Sequence, residues 1–325
     1  MAKAYTLITG ATGFIGSHVA EKLLWDGSWP VIAIVRGGKG YKNTAQLEKK
    51  GAILVRGNFY DLDLLNSVFR EFTIQNVIHI AALTGEGAGS TKDYYDVNVH
   101  GTEALLSVFH KNRSGKFILC SSVGVLGTIP AKVPADLSTR LNADNIYHRS
   151  KLAAEKRVYD FMDRGLNAFI IRPTITYGKR DAGFSPTLIR MVRKRLLLLP
   201  ARDNKVHLVS VSSLAEMFLR IMNIDGLLNR VFIAADEGPV VFRELVNLIY
   251  AAYFAKNYPS FLKLPSSLFR AFETIFSVLH LNKWTGRIQR ISKDWFFDTR
   301  ETDALIGFQP ANTNTEFLKY LRTLR

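Results

Sequence analysis

The first half of the chain alternates short apolar runs with longer segments in which apolar residues recur every three or four positions. The short runs predict β-strands over Tyr5–Thr9, Val31–Val35, Ile53–Val55, Val77–Ile80, Phe117–Cys120 and Ala168–Ile171. The longer segments predict helices over Ile15–Trp25, Leu62–Phe72, Tyr94–Lys111 and Ile146–Arg164. Continuous apolar strands that alternate with helices are typical of a parallel sheet covered on both faces. We therefore predict an α/β fold with a doubly wound parallel sheet.

Beyond Tyr177 helical periodicity dominates, which predicts a smaller, mainly helical lobe. The predicted helices of this lobe are Thr187–Arg195, Ser213–Asn223, Phe242–Phe254, Ser266–His280 and Thr315–Leu324. Short strands are expected at Lys205–Val211 and Arg230–Ala234, and Leu196–Leu199 is interpreted as a buried strand. We expect residues 1–177 to form the sheet domain and residues 178–325 the C-terminal substrate lobe, with some segments of the second half returning to the sheet.

The composition is that of a globular protein, with 47% hydrophobic and 22% charged residues. Cys120 is the only cysteine, which excludes an intramolecular disulfide, and the histidines show no metal-ligand spacing, so no metal is expected. The sequence shows no targeting segment and no charge-free run long enough to span a bilayer, so we expect a cytoplasmic protein. The net charge of +15 fits either a basic solvated surface or peripheral contact with an anionic membrane. No motif beyond charge indicates specific nucleic-acid binding.

Three glycines follow the first predicted strand and directly precede the first predicted helix. Gly10, Gly13 and Gly16 suit a tight turn that brings the backbone close to a pyrophosphate at the helix N-terminus. Because this spacing stands between a strand and a helix, it predicts the dinucleotide-binding loop of a Rossmann-type domain. The residues between these glycines that are expected to line the same cofactor site are Thr12, Phe14 and Ile15.

A basic residue stands at the end of the second predicted strand, where the chain reaches the adenosine ribose of a bound dinucleotide. An acidic side chain at this point binds the 2′-hydroxyl of NAD, whereas Arg36 can hold the 2′-phosphate of NADP. Lys39 and Lys42 follow closely and are expected to assist. We therefore expect NADP rather than NAD as the cofactor.

A tyrosine and a lysine lie four positions apart at the start of the helix Ile146–Arg164, and hence on one face of it. A neighbouring cation such as Lys151 lowers the pKa of a phenol from its ordinary value of about 10, and an oxidised nicotinamide ring nearby adds a second positive charge. With both charges, Tyr147 is expected to transfer a proton near neutral pH. Ser122 follows the fifth strand, at the strand ends where functional groups of a doubly wound sheet collect. Its hydroxyl is expected to orient a substrate oxygen beside Tyr147.

Taken in this order, the glycine loop, Ser122, Tyr147 and Lys151 resemble the extended branch of the short-chain dehydrogenase/reductase superfamily, to which the NAD-dependent epimerase/dehydratase family belongs. Further segments that look like this branch are Asp61-Leu62, His79-Ile80-Ala81-Ala82, Asn98-Val99-His100-Gly101-Thr102, Arg172-Pro173-Thr174, Trp295–Asp298 and Leu305–Pro310. The resemblance implies that Asp61 and Leu62 contact the adenine. It also implies that Ala81, Ala82 and Pro173 line the cofactor. It further implies that Ser122, Tyr147 and Lys151 are catalytic. Tyr147 and Lys151 are also expected to contact the cofactor, with Lys151 holding the nicotinamide ribose, and Asn98 is expected to position its helix.

The extended branch contains several activities, and three features help to choose among them. Val123-Gly124 follow Ser122 where sugar-nucleotide dehydratases carry an Asp-Glu pair, which disfavours dehydration. Arg36 disfavours the sugar epimerases, and Val125-Leu126-Gly127 lacks the tyrosine that many sugar-nucleotide enzymes carry at the middle position. The segment Ser260–Leu281 is rich in Phe and Leu, and it fits an apolar substrate pocket, a membrane surface or a helix pair packed on the core. We therefore expect the hydroxysteroid dehydrogenase or dihydroflavonol reductase-like subgroup. Members of this subgroup act on apolar alcohols and ketones. We therefore expect an NADP-dependent oxidoreductase that moves a hydride between nicotinamide and the carbonyl or alcohol of an apolar small molecule.

Two alternatives to this activity stay open. The first is an NAD(P)-dependent sugar-nucleotide epimerase, which removes a hydride and returns it without net consumption of cofactor. The second is a nucleotide-binding subunit that uses the fold for assembly and catalyses nothing. The resemblance also implies a homodimer formed through Tyr94–Lys111 and Ile146–Arg164.

Overall fold

The computed structural model describes residues 3–27, 29–36, 43–85, 87–112 and 115–324, and the side chain of Asn282 is not described. The strands are β1 (Ala4–Thr9), β2 (Val31–Val35), β3 (Ile53–Arg56), β4 (Thr73–His79), β5 (Phe117–Cys120), β6 (Ala168–Pro173), β7 (Ile175–Tyr177), β8 (Leu199–Pro200), β9 (Lys205–Val206), β10 (Leu208–Ser210), β11 (Arg230–Ala234), β12 (Val240–Val241) and β13 (Lys263–Leu264). The α-helices are α1 (Phe14–Asp26), α2 (Thr44–Lys49), α3 (Leu62–Glu71), α4 (Thr91–Tyr95), α5 (Gly101–Asn112), α6 (Ile146–Met162), α7 (Phe184–Arg193), α8 (Val211–Asn223), α9 (Phe242–Phe254), α10 (Ser266–Val278), α11 (Asn282–Ser292), α12 (Arg300–Ile306) and α13 (Thr313–Arg322).

Seven strands form one parallel sheet in the order β11-β6-β5-β4-β1-β2-β3. The chain builds outward from β1 to β3 and then crosses to β4 on the other side of β1, so the strand order reverses between β1 and β4. Ligands of open α/β sheets bind at this switch point, outside the carboxyl ends of the strands. The predicted doubly wound α/β fold is confirmed, and it brings the loops after β1 and β4 side by side.

Helices cover both faces of the sheet, which explains why its central strands are mostly apolar. In β1, Ile8 packs with α1 and α8 on one face, whereas Leu7 packs with α3, α5 and α6 on the other. Successive side chains of a strand point to opposite faces, so a doubly covered strand has no polar side. A third apolar cluster lies in the C-terminal half and joins α7, α9 and α13.

The C-terminal half contributes to both parts of the molecule. β11 pairs with β6 at the edge of the large sheet, and α8 packs against α1. Helix α12 packs on β11 and α8, whereas α7, α9, α11 and α13 contact the strands of the two-stranded sheets β10-β7, β12-β9 and β13-β8. No helix among the described residues is long and apolar enough to cross a membrane.

Two local predictions are wrong. Within Leu196–Leu199 only Leu199 belongs to a strand, and Leu196 and Leu198 are 63% and 42% exposed. Leu197 and Leu199 are buried, and the backbone N–H and C=O of Leu197 both bind the hydroxyl of Tyr258. The helix predicted over Tyr94–Lys111 is interrupted by a π-helical turn, Asp96–His100. Such turns concentrate at functional sites, and this one lies beside α6.

Candidate active site

In the glycine loop after β1, neighbouring backbone atoms pack so closely against Gly10 and Gly16 that neither position has room for a side chain. Gly10 has φ +77°, and a Cβ on it would lie 2.6 Å from the amide nitrogen of Ala81. A Cβ on Gly16 would lie 2.1 Å from the carbonyl oxygen of Gly10. These contacts are with backbone atoms, which cannot move aside as a flexible side chain can. The three glycines therefore allow α1 to start directly on the edge of the sheet, as the dinucleotide loop requires.

The N-terminus of α1 offers free hydrogen-bond donors. Its N-cap is Gly13, and among the described residues no side chain caps it and no acidic residue occupies its first turn. The unpaired N–H groups and the positive end of the helix dipole favour a phosphate at this point. Thr12 stands before this turn and Phe14 and Ile15 open the helix, as the sequence predicts for a pyrophosphate site. The described residues thus fit a dinucleotide.

The groups predicted to hold the adenosine lie along the next two strand ends. Arg36 follows β2 directly and is exposed. Asp61 is the N-cap of α3, and its Oδ1 accepts hydrogen bonds from the N–H groups of Asp63 and Leu64 at 3.0 and 3.2 Å. Asp61 therefore has a structural role in addition to the predicted adenine contact, and Leu62 beside it is exposed. Lys39 and Lys42 lie outside the described residues.

A buried histidine at the end of β4 contacts the threonine that ends β1 and a threonine of α5. His79 Nδ1 lies 2.6 Å from Thr9 Oγ1, and its Nε2 lies 2.9 Å from Thr102 Oγ1. Thr9 Oγ1 also accepts a hydrogen bond from the N–H of Ala81 at 3.3 Å, so the network reaches the cofactor edge. Burial, with a smaller contribution from the charge of Lys151, lowers the pKa of His79 to about 3. His79 is therefore neutral at physiological pH.

Because His79 is neutral when folded and titrates near 6.5 when unfolded, acid is expected to destabilise the protein through it. Between pH 6.5 and 3 the unfolded chain binds the extra proton, so stability falls as the pH falls. Over the whole range the loss is on the order of 5 kcal/mol. Urea unfolding of wild type and His79→Asn at several pH values measures this loss in the free energy of unfolding.

The comparison with His79→Asn isolates this histidine from the other buried titrating groups. Burial raises the pKa of Asp236 to about 6, so Asp236 acts with the opposite sign, its protonation stabilising the fold as the pH falls from 6 towards 4. Asp236 is present in both proteins, and its contribution cancels in the difference. An acid slope that is the same in the two proteins would contradict the assignment to His79.

Asn98, on the π-helical turn, connects two loops of the site. Its Oδ1 accepts from the N–H of Leu83 at 2.7 Å, and its Nδ2 donates to the carbonyl of Leu83 at 3.0 Å and to Ser150 Oγ at 2.9 Å. Ser150 in turn donates to the carbonyl of Tyr147 at 2.8 Å. Asn98 therefore ties the segment after Ala82 to the first turn of α6, which agrees with the positioning role expected for it.

The three predicted catalytic residues lie at the carboxyl end of β5 and on the start of α6. Ser122 caps a short 3-10 turn after β5, and its hydroxyl lies within hydrogen-bonding reach of the phenol of Tyr147. Lys151 is buried one helical turn beyond Tyr147, and its Nζ donates to the carbonyl oxygen of Cys120 at 2.6 Å. Pro173 ends β6, the strand next to β5. The fold thus places Ser122 beside Tyr147, and Lys151 against the end of β5.

The prediction that Lys151 lowers the pKa of Tyr147 is wrong for the protein by itself. Burial raises the pKa of Tyr147 well above its ordinary value, and the hydrogen bond with Ser122 offsets this only in part. Burial likewise lowers the pKa of Lys151, although the nearby carboxylate of Glu155 opposes the shift. Helical spacing placed the two residues on one face but could not show how strongly burial would shift the pKa of each.

A buried ion pair connects α6, the helix that carries Tyr147 and Lys151, to β6. Glu155, one turn beyond Lys151, accepts two hydrogen bonds from the guanidinium of Arg172 on β6, at 3.0 and 2.7 Å. Glu155 also accepts a hydrogen bond from Ser121 Oγ at 2.5 Å. Both charged side chains are almost completely buried. Sequence reasoning did not find this pair. Glu155 on α6 and Arg172 on β6 are 17 positions apart, and no local spacing pattern connects them.

A second support holds the loop that carries Ser122. The imidazole of His148 lies so close to Gly124 that a Cβ on the glycine would be 2.2 Å from His148 Cδ2. His148 Nδ1 is 2.6 Å from Asp144 Oδ1, and Asp144 Oδ2 accepts from the N–H of Thr128 at 2.7 Å. Gly124 N–H itself donates to Ser122 Oγ at 3.0 Å. The i, i+4 spacing of Asp144 and His148 was the available sequence signal.

Gly124→Ala is expected to lower both stability and turnover, because the new methyl group must displace His148 or the loop of Ser122. Overpacking of this kind costs about 1–3 kcal/mol. His148→Gly in the same chain removes the obstructing ring and is expected to restore a large part of the lost turnover. Thermal unfolding and kcat of the two single variants and the double variant measure the coupling. Additive losses in the double variant would show that the two residues do not compete for the same space.

A model of the NAD dependent epimerase/dehydratase family matches residues 6–233 of the chain. A UDP-glucose 4-epimerase of Vibrio cholerae is 27% identical over 323 residues, which cover 96% of this chain and 93% of that enzyme. A UDP-glucose 4-epimerase of Erwinia amylovora is 35% identical over 161 residues, which cover 48% of each chain.

Solved structures share the whole fold. A UDP-glucose 4-epimerase of Thermotoga maritima with UDP-glucose has a TM-score of 0.76 at 19% identity and covers 99% of this chain and 100% of that one. The Bordetella bronchiseptica enzyme WbmH in complex with NAD⁺ has a TM-score of 0.75 at 19% identity and covers 100% of this chain and 99% of that one. Family match, fold and the Ser122–Tyr147–Lys151 arrangement agree. The chain belongs to the NAD dependent epimerase/dehydratase family and is an enzyme of the extended short-chain dehydrogenase/reductase type.

Proposed function

We propose that the chain is a nicotinamide-dependent epimerase that inverts a secondary alcohol carbon of a nucleotide sugar. The observation that carries the proposal is the Ser122–Tyr147–Lys151 site in a chain that aligns along nearly its whole length with a UDP-glucose 4-epimerase. Solved neighbours of the same fold that hold UDP-glucose or NAD support the same classes of substrate and cofactor. The apolar-substrate reductase, which the sequence alone favours, becomes the second candidate.

The cofactor would be held by the elements that the glycine loop brings together. The N–H groups at the start of α1 would bind the pyrophosphate, and Gly10 and Gly16 allow the backbone to approach it. Ala81 and Ala82, on the loop after β4, would line the nicotinamide side, with Pro173 at the end of β6. A bound nicotinamide supplies the acceptor and donor of the hydride, and its oxidised form adds a positive charge to the site.

The residues of the chain handle the proton. When the substrate carbon is oxidised, its hydroxyl proton passes to Tyr147 Oη, and the same proton returns to the oxygen when the hydride comes back. Ser122 is placed to hydrogen-bond that oxygen beside Tyr147. Because burial alone raises the pKa of Tyr147, the phenolate requires the added positive charge of the cofactor together with that of Lys151. No net proton or hydride is consumed in one full cycle.

The same loop disfavours β-elimination. Val123 and Gly124 follow Ser122 and form the 3-10 turn that packs on His148. Dehydration requires an additional acid at this position, as in the sugar-nucleotide dehydratases that carry an Asp-Glu pair there. Inversion with return of the hydride would need, besides the nicotinamide that carries the hydride, only a proton-transferring group and groups that orient the substrate oxygen, the roles proposed for Tyr147, Ser122 and Lys151.

The proposal is tested by incubating the purified chain with UDP-glucose and with UDP-glucuronic acid, each in the presence of NAD or NADP. Anion-exchange chromatography separates the epimeric nucleotide sugars, and nicotinamide absorbance reports net oxidation or reduction. We expect conversion to the 4-epimer without a net change in absorbance, and no conversion with Tyr147→Phe. Cofactor binding without conversion of either nucleotide sugar would overturn the proposal.

The second candidate, an NADPH-dependent reductase of an apolar carbonyl, is favoured by the position of Arg36. This exposed guanidinium directly follows β2, at the strand end that meets the adenosine ribose, and it can hold a 2′-phosphate. Arg36→Asp is expected to reverse a preference for NADPH over NADH, by at least about tenfold in the ratio of the two dissociation constants. Equal effects on both cofactors would remove this support.

A further inference from the structure

The C-terminal lobe presents a helical hairpin, α10 and α11, and the segment 256–264 that precedes it. We call these residues, 256–293, the apolar–basic face. We propose that this face docks on the surface of an anionic lipid bilayer. The inference concerns where the enzyme works and does not depend on its substrate.

Helix α10 is apolar on two sides, although only one of them is packed against the protein. On the packed side Phe269 is buried, and Phe276 lies against Trp284 of α11 with ring centroids 6.3 Å apart. On the outer side the exposed apolar residues are Leu268, Ile275, Val278 and, directly after the helix, Leu279. Arg270, which is also exposed, lies on the side of the helix opposite Leu268 and Ile275. The outer side of α10 thus exposes large apolar side chains to water and has the character of a binding surface.

The exposed apolar side chains continue beyond α10. Phe261, before the helix, is 77% exposed, and Trp284, after it, is 50% exposed. The segment is joined to the rest of the lobe by the pairing of β13 with β8, which places it beside the exposed Leu196 and Leu198. Exposed apolar patches of this extent mark sites of protein or membrane contact.

The positive charge of the apolar–basic face favours an anionic lipid surface, rather than a second copy of the chain, as its binding partner. Residues 256–293 contain seven lysines and arginines and one acidic residue, Glu273. Glu273 already binds Lys293 at 2.6 Å and Gln289 at 2.8 Å. Two copies placed face to face would bring equal excesses of positive charge together, whereas anionic lipid headgroups would neutralise them.

The shape of the face fits a helix lying in the interface. Helices α10 and α11 have 13 and 11 residues, too short to cross a bilayer. Tryptophan beside basic residues is typical of helices that lie at the headgroup level, and the guanidinium of Arg287 stacks on Trp284 at 4.8 Å. A Cβ on Gly286 would lie 3.7 Å from Thr128, so α11 also borders the loop that follows Ser122. A docked enzyme would thus hold its reaction site close to the membrane.

Flotation of the full-length protein with vesicles tests the proposal. One set of vesicles is phosphatidylcholine alone and the other contains phosphatidylglycerol in addition. We expect binding to the anionic vesicles, weakened by salt, and at least a tenfold loss of binding in Ile275→Glu/Leu279→Glu, about the effect of losing one buried apolar side chain. Leu228→Glu is the matched control, because Leu228 is 59% exposed outside the face.

A fluorescence readout locates the contact. In a Trp25→Phe background, which removes the other strongly exposed tryptophan, emission of Trp284 is expected to shift to the blue and to be quenched by brominated lipid. Absence of flotation with either vesicle would overturn the proposal, and so would binding that the Ile275→Glu/Leu279→Glu variant retains. If that variant instead changes the oligomeric state by gel filtration without any vesicle binding, a second copy covers the face and the proposal is overturned.

Discussion

Tyr147→Phe is expected to reduce kcat by about two to four orders of magnitude while leaving cofactor affinity almost unchanged. The phenylalanine keeps the ring and its packing beside His148 but removes the only atom of residue 147 that can carry the proton. The cofactor contacts that the glycine loop and the α1 N-terminus provide do not involve the phenol oxygen. Initial rates and fluorescence titration with the reduced cofactor measure the two quantities separately.

Tyr159→Phe is the matched control for this prediction. Tyr159 lies on the same helix, three turns further along, and its side chain is 37% exposed. It is expected to keep wild-type kcat. Turnover of Tyr147→Phe within a few-fold of wild type would show that another group transfers the proton, and an equal loss in both variants would point to a defect of α6 instead.

The sequence predicted the sheet well because burial on both faces imposes an unbroken apolar pattern. The bounds of β2, β5 and β11 agree with the structure at both ends. β4 begins at Thr73, four residues earlier than predicted, because Gln75 and Asn76 interrupt the apolar run. Asn76 is buried nevertheless, since its Oδ1 accepts a hydrogen bond from the N–H of Lys116 at 2.8 Å. A buried polar residue whose hydrogen-bond partner is distant in sequence cannot be recognised from periodicity.

The catalytic residues were predictable because strand ends and helical spacing are local features. The groups that hold them in place are not. The contacts of His79 with Thr9 and Thr102 span 70 and 23 positions of sequence, and those of Asn98 with Ser150 span 52. The direction of the pKa shift of Tyr147 was missed for the same reason, because desolvation depends on everything packed around the phenol.

Glu155→Ala is expected to have the largest effect on stability, a loss of about 3–5 kcal/mol. The variant leaves the guanidinium of Arg172 buried without its carboxylate and removes the acceptor of Ser121. A buried charge that loses its partner retains the full cost of its desolvation. Urea unfolding measures the free energy, with Glu103→Ala as control. Glu103 forms an ion pair with Arg157 at the surface, where such a pair contributes less than about 1 kcal/mol.

The double variant Glu155→Leu/Arg172→Met separates the value of the pair from the cost of breaking it. Removing both charges leaves no unpaired ion, so this protein is expected to be more stable than Glu155→Ala, although Ser121 still lacks its acceptor. Its kcat reports whether the pair also positions the catalytic helix, since Glu155 lies one turn from Lys151 and contacts the residue before Ser122. Recovered stability with reduced kcat indicates that the ion pair serves the geometry of the site more than the stability of the fold. Recovery of both stability and kcat would show that the ion pair has a structural role alone.

A loss of unfolding free energy in Glu155→Ala no larger than that in Glu103→Ala would contradict the prediction. It would mean that water reaches Arg172 and that the pair is not buried in solution.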